Sequence, residues 1–342
     1  GDMSNRVMTI LSGFSPSQEI YSIDECFLDL EGMHVDLRAY GLEMKQKVEK
    51  WTHIPVSIGI GPTKALAKTA TRVAKKFQAQ TGGVHVIDTE EKRIKALKWL
   101  QVEDVWGIGR QYTKKLLAMN IKNAFQFISM PDEWVKMHLT IIGLRLKHDL
   151  EGIPTLQLDE VKNKKSIATT RTFDDMLESK SDVRERISTF AVKCAEKLRK
   201  QKTCCNSIQV FITTNYFRED LPQYSNSITL KLPFATNSSL ELAEYATLGL
   251  EKIFRSGFKY KKAGVFVMDF TPEENQQLNI FVNRNTKHIP LMKAIDKVNS
   301  RYSKDLIRLA TQAPGRTWRM RQEKLSKHYT TDINEVITMK LK

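Results

Sequence analysis

The pattern that most constrains the fold runs over residues 166–270, where strand and helix signals alternate in a fixed order. Helical spacing of apolar residues appears over 181–200 and 237–254. Short β-branched runs flank and separate these helices: SIATTRT (166–172), SIQVFITT (207–214), NSITLKL (226–232) and AGVFVMDF (263–270). The order β-α-β-β-α-β predicts one sheet with both helices on one face.

The first of these helices shows its buried face in the sequence. The capping residue is predicted to be Ser181 or Asp182, since both side chains can accept hydrogen bonds from the first turn. The apolar residues that recur at helical spacing are Val183, Ile187, Phe190, Cys194 and Leu198.

The rest of the chain divides into further predicted domains according to the secondary structure that each segment favours. Residues 1–88 interleave helices and strands, which indicates a mixed α/β or α+β unit. Residues 89–160 read as short helices with short loops, as in a small helical domain. The Lys-rich stretch 158–166 is predicted to be a linker, and residues 273–342 form a tail with weaker periodicity.

The charge balance indicates a polyanionic partner. Lys and Arg number 54 against 39 Asp and Glu, giving +15 and a pI near 9.5. The excess is also local, with 19 basic and 12 acidic residues over 162–271 and 14 against 5 over 275–342. Nucleic acid is the usual partner of such a chain. The alternative is a merely basic protein with solvated charged faces.

Other compositional signals exclude some classes of protein. No apolar run approaches the ~18 residues of a membrane span, and no signal peptide is visible. The four cysteines, Cys26, Cys194, Cys204 and Cys205, lack C-x-x-C spacing. The sequence therefore signals neither a zinc site nor a disulfide framework, and it fits a reducing cytoplasm without a membrane partner.

Two adjacent acids, Asp24 and Glu25, stand in the strand-forming run YSIDECFLDL (21–30). Neighbouring carboxylates suit Mg²⁺, and paired Mg²⁺ ions serve phosphoryl chemistry. In a regular strand the two side chains point to opposite faces, so they converge only if a bend or hairpin lies near them. The alternative is an exposed edge strand with two solvated acids.

A strand, a Gly-Pro turn and a helix are predicted over SIGIGPTKALAKTATRVAKK (57–76). Lys64, Lys68 and Lys75 share one face of this helix and are candidates to bind a triphosphate. The run lacks the G-x-x-x-x-G-K-[ST] pattern of a P-loop. A solvated lysine stripe is the alternative.

A second Gly-rich turn, VWGIGRQYTKKLLAMNI (105–121), resembles a helix-hairpin-helix. Gly107 and Gly109 would leave backbone N–H groups free for a DNA phosphate, with Arg110 and Lys114 nearby. The alternative is a plain interhelical turn.

The stretch QLNIF (277–281) is typical of a short docking motif. Its side chains Leu278, Ile280 and Phe281, preceded by Gln277, could fill a pocket on a partner. The alternative is an apolar segment that packs on its own domain.

Taken in order, YSIDE, SIGIGPTKALAKTATRVAKK and VWGIGRQYTKKL resemble the motifs of the Y-family translesion DNA polymerases. The β-α-β-β-α-β unit resembles their little-finger domain. The segments GDMSNRVM, VAKKFQAQTGGV, QLNIF and WRMRQEKLSKHYTT resemble the UmuC branch of the family, with DNA polymerase IV as the alternative member. The resemblance runs from residue 1 to about residue 332.

The resemblance implies a multidomain α+β fold. Its parts would be a partial palm (1–88), a helical thumb (89–160), a little finger (161–272) and a basic tail (273–342). It also implies two Mg²⁺ ions, with Asp24 binding both and Glu25 completing the primer-side site.

The remaining site residues follow from the same resemblance. Lys75 would reach the incoming triphosphate, and Lys64 and Lys68 would bind phosphate or support the site. Gly107 and Gly109 would grip the DNA backbone, and residues 277–281 would bind a sliding clamp.

The implied activity is error-prone translesion synthesis in the SOS response, by DNA-templated nucleotidyl transfer. Its implied partners are a damaged primer–template, a dNTP, the processed UmuD dimer, the RecA filament and the β sliding clamp. The family pattern also has an earlier strand with a third metal-binding Asp and a fingers domain, which do not precede Gly1. Asp29 matches a supporting position instead.

We therefore expect a truncated, catalytically impaired chain. A non-catalytic DNA- and clamp-binding protein is the main alternative, and a helix-hairpin-helix nuclease is another.

Overall fold

The chain consists of two compact units, residues 1–162 and 163–342. The computed structural model describes residues 1–158, 164–274, 285, 287–302, 306–312, 325–329 and 332–339. The boundary between the units falls inside the predicted linker.

The first unit contains a hairpin, a small parallel sheet and a set of helices. The strands that the structure describes there are β1 Ser17–Ile20, β2 Cys26–Asp29, β3 Ile58–Ile60 and β4 Val84–Val86. The helices are α1 Asp2–Ser12, α2 Leu37–Thr52, α3 Lys64–Lys76, α4 Gln78–Thr81, α5 Glu90–Trp99, α6 Arg110–Ala118, α7 Ala124–Ile128 and α8 Asp132–Glu151. Strands β1 and β2 are antiparallel, whereas β3 and β4 are parallel.

Helix α3 lies directly against strand β3, and glycine makes this approach possible. A Cβ atom at Gly59 would stand 2.0 Å from the Thr71 nitrogen and 2.3 Å from the Ala67 carbonyl oxygen. No side chain fits there, so the glycine fixes the position of the helix that carries the candidate lysines. Thr63 caps this helix by accepting a hydrogen bond from the Leu66 N–H.

The helices after β4 share a core with the first turn of α3, built around buried residues such as Leu97, Leu116, Phe127 and Leu139. The long helix α8 was not among the short helices predicted for this region. It is interrupted at Thr140, whose φ of 66° is unusual for a β-branched residue.

The second unit confirms the predicted β-α-β-β-α-β order. Its elements in chain order are β5 Ile167–Leu177, α9 Lys180–Lys200, β6 Thr203–Thr214, β7 Ser225–Thr236, α10 Ser239–Ile253, β8 Tyr260–Pro272 and α11 His288–Arg301. The sheet has the order β5-β8-β6-β7, with every neighbouring pair antiparallel. Helices α9 and α10 pack together against it.

The apolar face predicted for α9 is buried, because Val183, Ile187, Cys194 and Leu198 are fully covered and Phe190 is 2% exposed. The predicted cap was wrong. The helix begins at Lys180 with Ser179 as its capping residue, and Ser179 makes no capping hydrogen bond with its side chain. A polar run offers several cap candidates, so the sequence does not select among them.

Helix α11 belongs to the predicted tail and packs on the second unit. Asp296 accepts two hydrogen bonds from the Arg199 guanidinium, at 2.6 and 2.8 Å. Met292 is 2% exposed, and His288 lies 3.0 Å from Glu241. The stretch 277–281 lies outside the described residues. In the described part of the chain, no helix has both the length and the apolar content needed to cross a membrane.

Candidate active site

Asp24 and Glu25 lie in the loop of the β1–β2 hairpin rather than inside a continuous strand. The pairing of Ile20 with Cys26 closes this loop. The N–H groups of Tyr21 and Ser22 both donate to the Glu25 carbonyl, at 3.1 and 3.0 Å. Both acidic residues are exposed. The loop frees them from the opposite-face geometry of a strand, which was the objection to a shared site.

The two acids have different local partners. The Ser22 hydroxyl donates to Oδ1 of Asp24 at 2.6 Å. The Glu25 carboxylate pairs with Nζ of Lys68 at 2.5 Å. Glu25 keeps 44% of its side chain exposed, whereas Lys68 keeps only 15%. The loop is therefore tied to helix α3 through Glu25, and it remains open to solvent.

Helix α3 presents a stripe of three cations, Lys64, Lys68 and Arg72, each paired with an acid. Lys64 binds Glu19 of strand β1 at 2.5 Å, and both side chains are nearly buried. Arg72 pairs with Asp104, which lies just ahead of the Gly-rich turn. These ion pairs join α3 to the hairpin at one end and to the helical region at the other. Whether Lys64 and Lys68 also bind phosphate stays a prediction.

Lys75 differs from the other predicted lysines. It lies in the last turn of α3 and is exposed. Within the ranges that the structure describes, its side chain makes neither a hydrogen bond nor an ion pair. Of the three lysines, Lys75 has the ammonium group best placed to bind an external anion.

Three aromatic rings that the sequence analysis did not single out join the site. Tyr21, Phe27 and Trp106 meet edge to face, each pair with its ring centroids 5.7 Å apart. The Trp106 Nε1–H donates to the Tyr21 hydroxyl at 3.2 Å. Lys68 lies 5.2 Å from the centroid of the Tyr21 ring. The available signal was that Tyr21 and Trp106 lie inside the quoted runs YSIDE and VWGIGRQYTKKL.

The turn after Trp106 leads into helix α6, and both of its glycines are exposed. Gly107 has a φ of +93°, and the side chain of Ile108 is buried in the helical core. Gly109 precedes α6 as its capping residue without a capping side chain. The first N–H groups of the helix therefore lack intrahelical acceptors. Arg110 and Lys114 are exposed at a spacing of four residues.

The two loop carboxylates fit Mg²⁺ by their chemistry. Mg²⁺ prefers hard oxygen ligands and is often held by one or two carboxylates, with water and substrate phosphates completing its shell. Asp24 and Glu25 supply such oxygens on one exposed loop. Among the residues that the structure describes, no group of three or more His, Cys, Asp or Glu side chains is arranged to hold a metal.

Known proteins match this chain along nearly its whole length. Residues 1–72 match the impB/mucB/samB family, and residues 164–280 match the C-terminal domain of that family. The UmuC protein of Salmonella typhimurium is 37% identical over 99% of this chain and 82% of its own length. The chain belongs to the UmuC family of Y-family DNA polymerases.

Further relatives agree with this membership. The ImpB protein of S. typhimurium is 33% identical over 98% of the chain and 80% of its own length. DNA polymerase IV 1 of Bacillus subtilis is 26% identical over 89% of the chain and 72% of its own length. Residues 290–339 match a domain of unknown function, DUF4113. The predicted resemblance to the UmuC branch is confirmed.

The fold agrees with solved polymerases of the same family. A Y-family DNA polymerase chimera based on Dbh superposes with a TM-score of 0.57 at 20% identity. The match covers 79% of this chain and 76% of the chimera. The mixed α+β fold is therefore that of a Y-family polymerase, and by its family the chain is a DNA-directed DNA polymerase.

Proposed function

We propose that this UmuC-family chain carries out error-prone translesion DNA synthesis in the SOS response, on damaged DNA in the cytoplasm. The observation that carries the proposal is the joint presentation of Asp24 and Glu25 on one hairpin loop. That loop is bound by Lys68 of helix α3, which also carries the exposed Lys75. The reaction is DNA-templated nucleotidyl transfer to a primer end.

Asp24 and Glu25 hold the catalytic Mg²⁺ in this account. Two Mg²⁺ ions, when bound, would activate the attacking primer oxygen and stabilise the departing pyrophosphate. The chain's own residues orient the metal-binding carboxylate and bind the substrate. Lys68 holds the Glu25 side chain toward α3, and Lys75 binds the triphosphate of the incoming dNTP.

The turn at Gly107 and Gly109 binds the backbone of the primer–template. Its free N–H groups contact phosphate without reading sequence, which suits a polymerase that must accept damaged templates. Arg110 and Lys114 add charge beside the turn, and the net positive second unit adds more. Duplex affinity should therefore fall steeply with salt.

Three protein partners complete the proposal: the β sliding clamp, the processed UmuD dimer and the RecA filament. The support for the clamp is the sequence QLNIF, with Gln277, Leu278, Ile280 and Phe281 as its contacts. Replacing Leu278 and Phe281 by Ala should weaken clamp binding and leave binding to a short duplex intact. Unchanged clamp affinity would reject the motif.

Primer extension tests the proposal as a whole. The chain is incubated with a primed template that carries an abasic site, dNTPs, Mg²⁺, processed UmuD and RecA filaments. Nucleotide addition opposite the lesion is the expected result, at a low rate if the chain is impaired as the sequence resemblance implies. Duplex binding without any extension would favour a non-catalytic DNA-binding protein, and strand cleavage without dNTPs would favour a nuclease.

A further inference from the structure

Trp106 and Tyr21 form a direct connection between two features with separate proposed roles. Trp106 immediately precedes Gly107 of the turn proposed to bind DNA. Tyr21 opens the hairpin loop that carries Asp24 and Glu25. The hydrogen bond from Trp106 Nε1–H to the Tyr21 hydroxyl, at 3.2 Å, joins the turn to the loop.

The connection continues from Tyr21 to Glu25 by two routes. The Tyr21 N–H donates to the Glu25 carbonyl at 3.1 Å, which ties the backbone at Tyr21 to the backbone at Glu25. The Tyr21 ring also lies 5.2 Å from the Lys68 ammonium, which in turn pairs with the Glu25 carboxylate. Glu25 is thus held at its backbone and at its side chain by groups that touch Tyr21.

This cluster differs from an ordinary core contact. Tyr21 is 48% exposed, and Trp106 is only partly buried. Burial alone does not require their polar atoms to meet, because water could satisfy both groups. Phe27 contacts the rings of both Tyr21 and Trp106 and is 9% exposed. Arg72 and Asp104 provide a second link between α3 and the same segment.

We propose that Trp106 is a positioning residue that couples DNA binding at the Gly107 turn to metal binding at Asp24 and Glu25. The inference rests on the proposed function, since it needs both sites. A phosphate held at the turn fixes the Trp106 ring, and the hydrogen bond to Tyr21 then favours one arrangement of the loop. By linkage, bound metal must strengthen DNA binding by the same factor.

The test measures metal affinity with and without DNA. Mn²⁺ serves as the probe, titrated against the full chain by electron paramagnetic resonance in the absence and presence of a primer–template duplex without dNTP. The part of the Mn²⁺ binding that is lost in Asp24→Asn and Glu25→Gln is assigned to the hairpin loop. In the wild-type chain, the duplex should raise that affinity by about tenfold, within the usual range of such couplings.

Tyr21→Phe and Trp106→Phe each delete the hydrogen bond and keep an aromatic ring. Both variants should still bind Mn²⁺ and duplex, but the coupling should fall below about twofold, and the double variant should resemble either single one. Trp51→Phe is the control, since Trp51 is 62% exposed on α2 and contacts Lys47. It should keep the full coupling.

The outcomes separate the two proposals. Full coupling in Tyr21→Phe and Trp106→Phe would overturn the positioning role and leave the proposed function standing. A wild-type chain with no Mn²⁺ binding attributable to Asp24 and Glu25 would overturn both.

Discussion

The ammonium group of Lys68 and the carboxylate of Glu25 lie 2.5 Å apart, although the two residues are distant in sequence. This pair ties the hairpin loop with Asp24 to helix α3, whose position is set by the close approach at Gly59. The loop is therefore anchored to a rigid element and still exposed, as a site that receives metal and substrate must be.

Replacing Lys68 by Met should lower the free energy of unfolding of the first unit by about 1 kcal/mol, since the pair is half exposed and solvent screens it. Urea unfolding measures the change. Lys92→Met is the control, because its pair with Asp88 is exposed on both sides. That variant should change stability by less than about 0.5 kcal/mol. Equal effects would contradict an anchoring role for Lys68.

Lys75→Ala should raise the KM for dNTP by about tenfold with a smaller change in kcat, which is the loss expected for one charged hydrogen bond. Steady-state primer extension gives both constants. Lys76→Ala is the matched control, because Lys76 is the next residue and is equally exposed. A KM that rises equally in both variants would indicate a general charge effect instead.

The two glycines of the turn should respond differently to alanine. Gly107→Ala places a Cβ at a φ of +93° and 3.3 Å from Leu146, so it should cost about 1–3 kcal/mol of stability. Gly109 has open space around it, and Gly109→Ala should cost less than about 1 kcal/mol.

Duplex binding tests the proposed role of Gly109 in DNA binding separately from the effect of the substitution on stability. A Cβ at this position would hinder a phosphate from reaching the N–H groups, so duplex affinity should fall about three- to tenfold. Fluorescence anisotropy with a labelled duplex measures it. Undiminished affinity in a folded Gly109→Ala protein would rule out this turn as a backbone-binding element.

Asp296→Ala should destabilise the second unit, because it leaves the nearly buried Arg199 without its carboxylate partner. The expected loss is about 2 kcal/mol, which is typical of a charged hydrogen-bonded pair. Hydrogen exchange of the β6 amides measures this loss of stability. Asp220→Ala breaks an exposed pair with Arg218 and should have little effect. Similar exchange in both variants would mean that α11 does not stabilise this unit.

The sequence predicted those parts of the fold that depend on local periodicity. The buried face of α9 follows from the 3.6-residue repeat between Val183 and Leu198, and the order of strands and helices along the second unit follows from the β-branched runs between the helices. The cap of α9 was wrong, because several neighbouring polar residues can serve. The weak periodicity of the tail concealed α11, which is held by a few specific contacts such as Arg199 with Asp296.

The site was only partly predictable for a related reason. The motifs identified Asp24, Glu25 and the lysines by residue type. They could not show that Lys68 pairs with Glu25 or that Trp106 reaches Tyr21, because such partners are chosen by the tertiary fold. The sequence allowed a bend or hairpin near the two acids but did not select it over one continuous edge strand, and the pairing of β1 with β2 shows the hairpin.

Primer extension by Asp24→Asn decides whether the hairpin loop is the metal site. This change keeps the size of the side chain and removes one metal-binding carboxylate. We expect a fall in kcat of at least about 100-fold with duplex affinity unchanged, while Glu31→Gln, which changes an exposed carboxylate two residues after β2, stays within about twofold of wild type. Extension by Asp24→Asn at the wild-type rate would contradict that assignment.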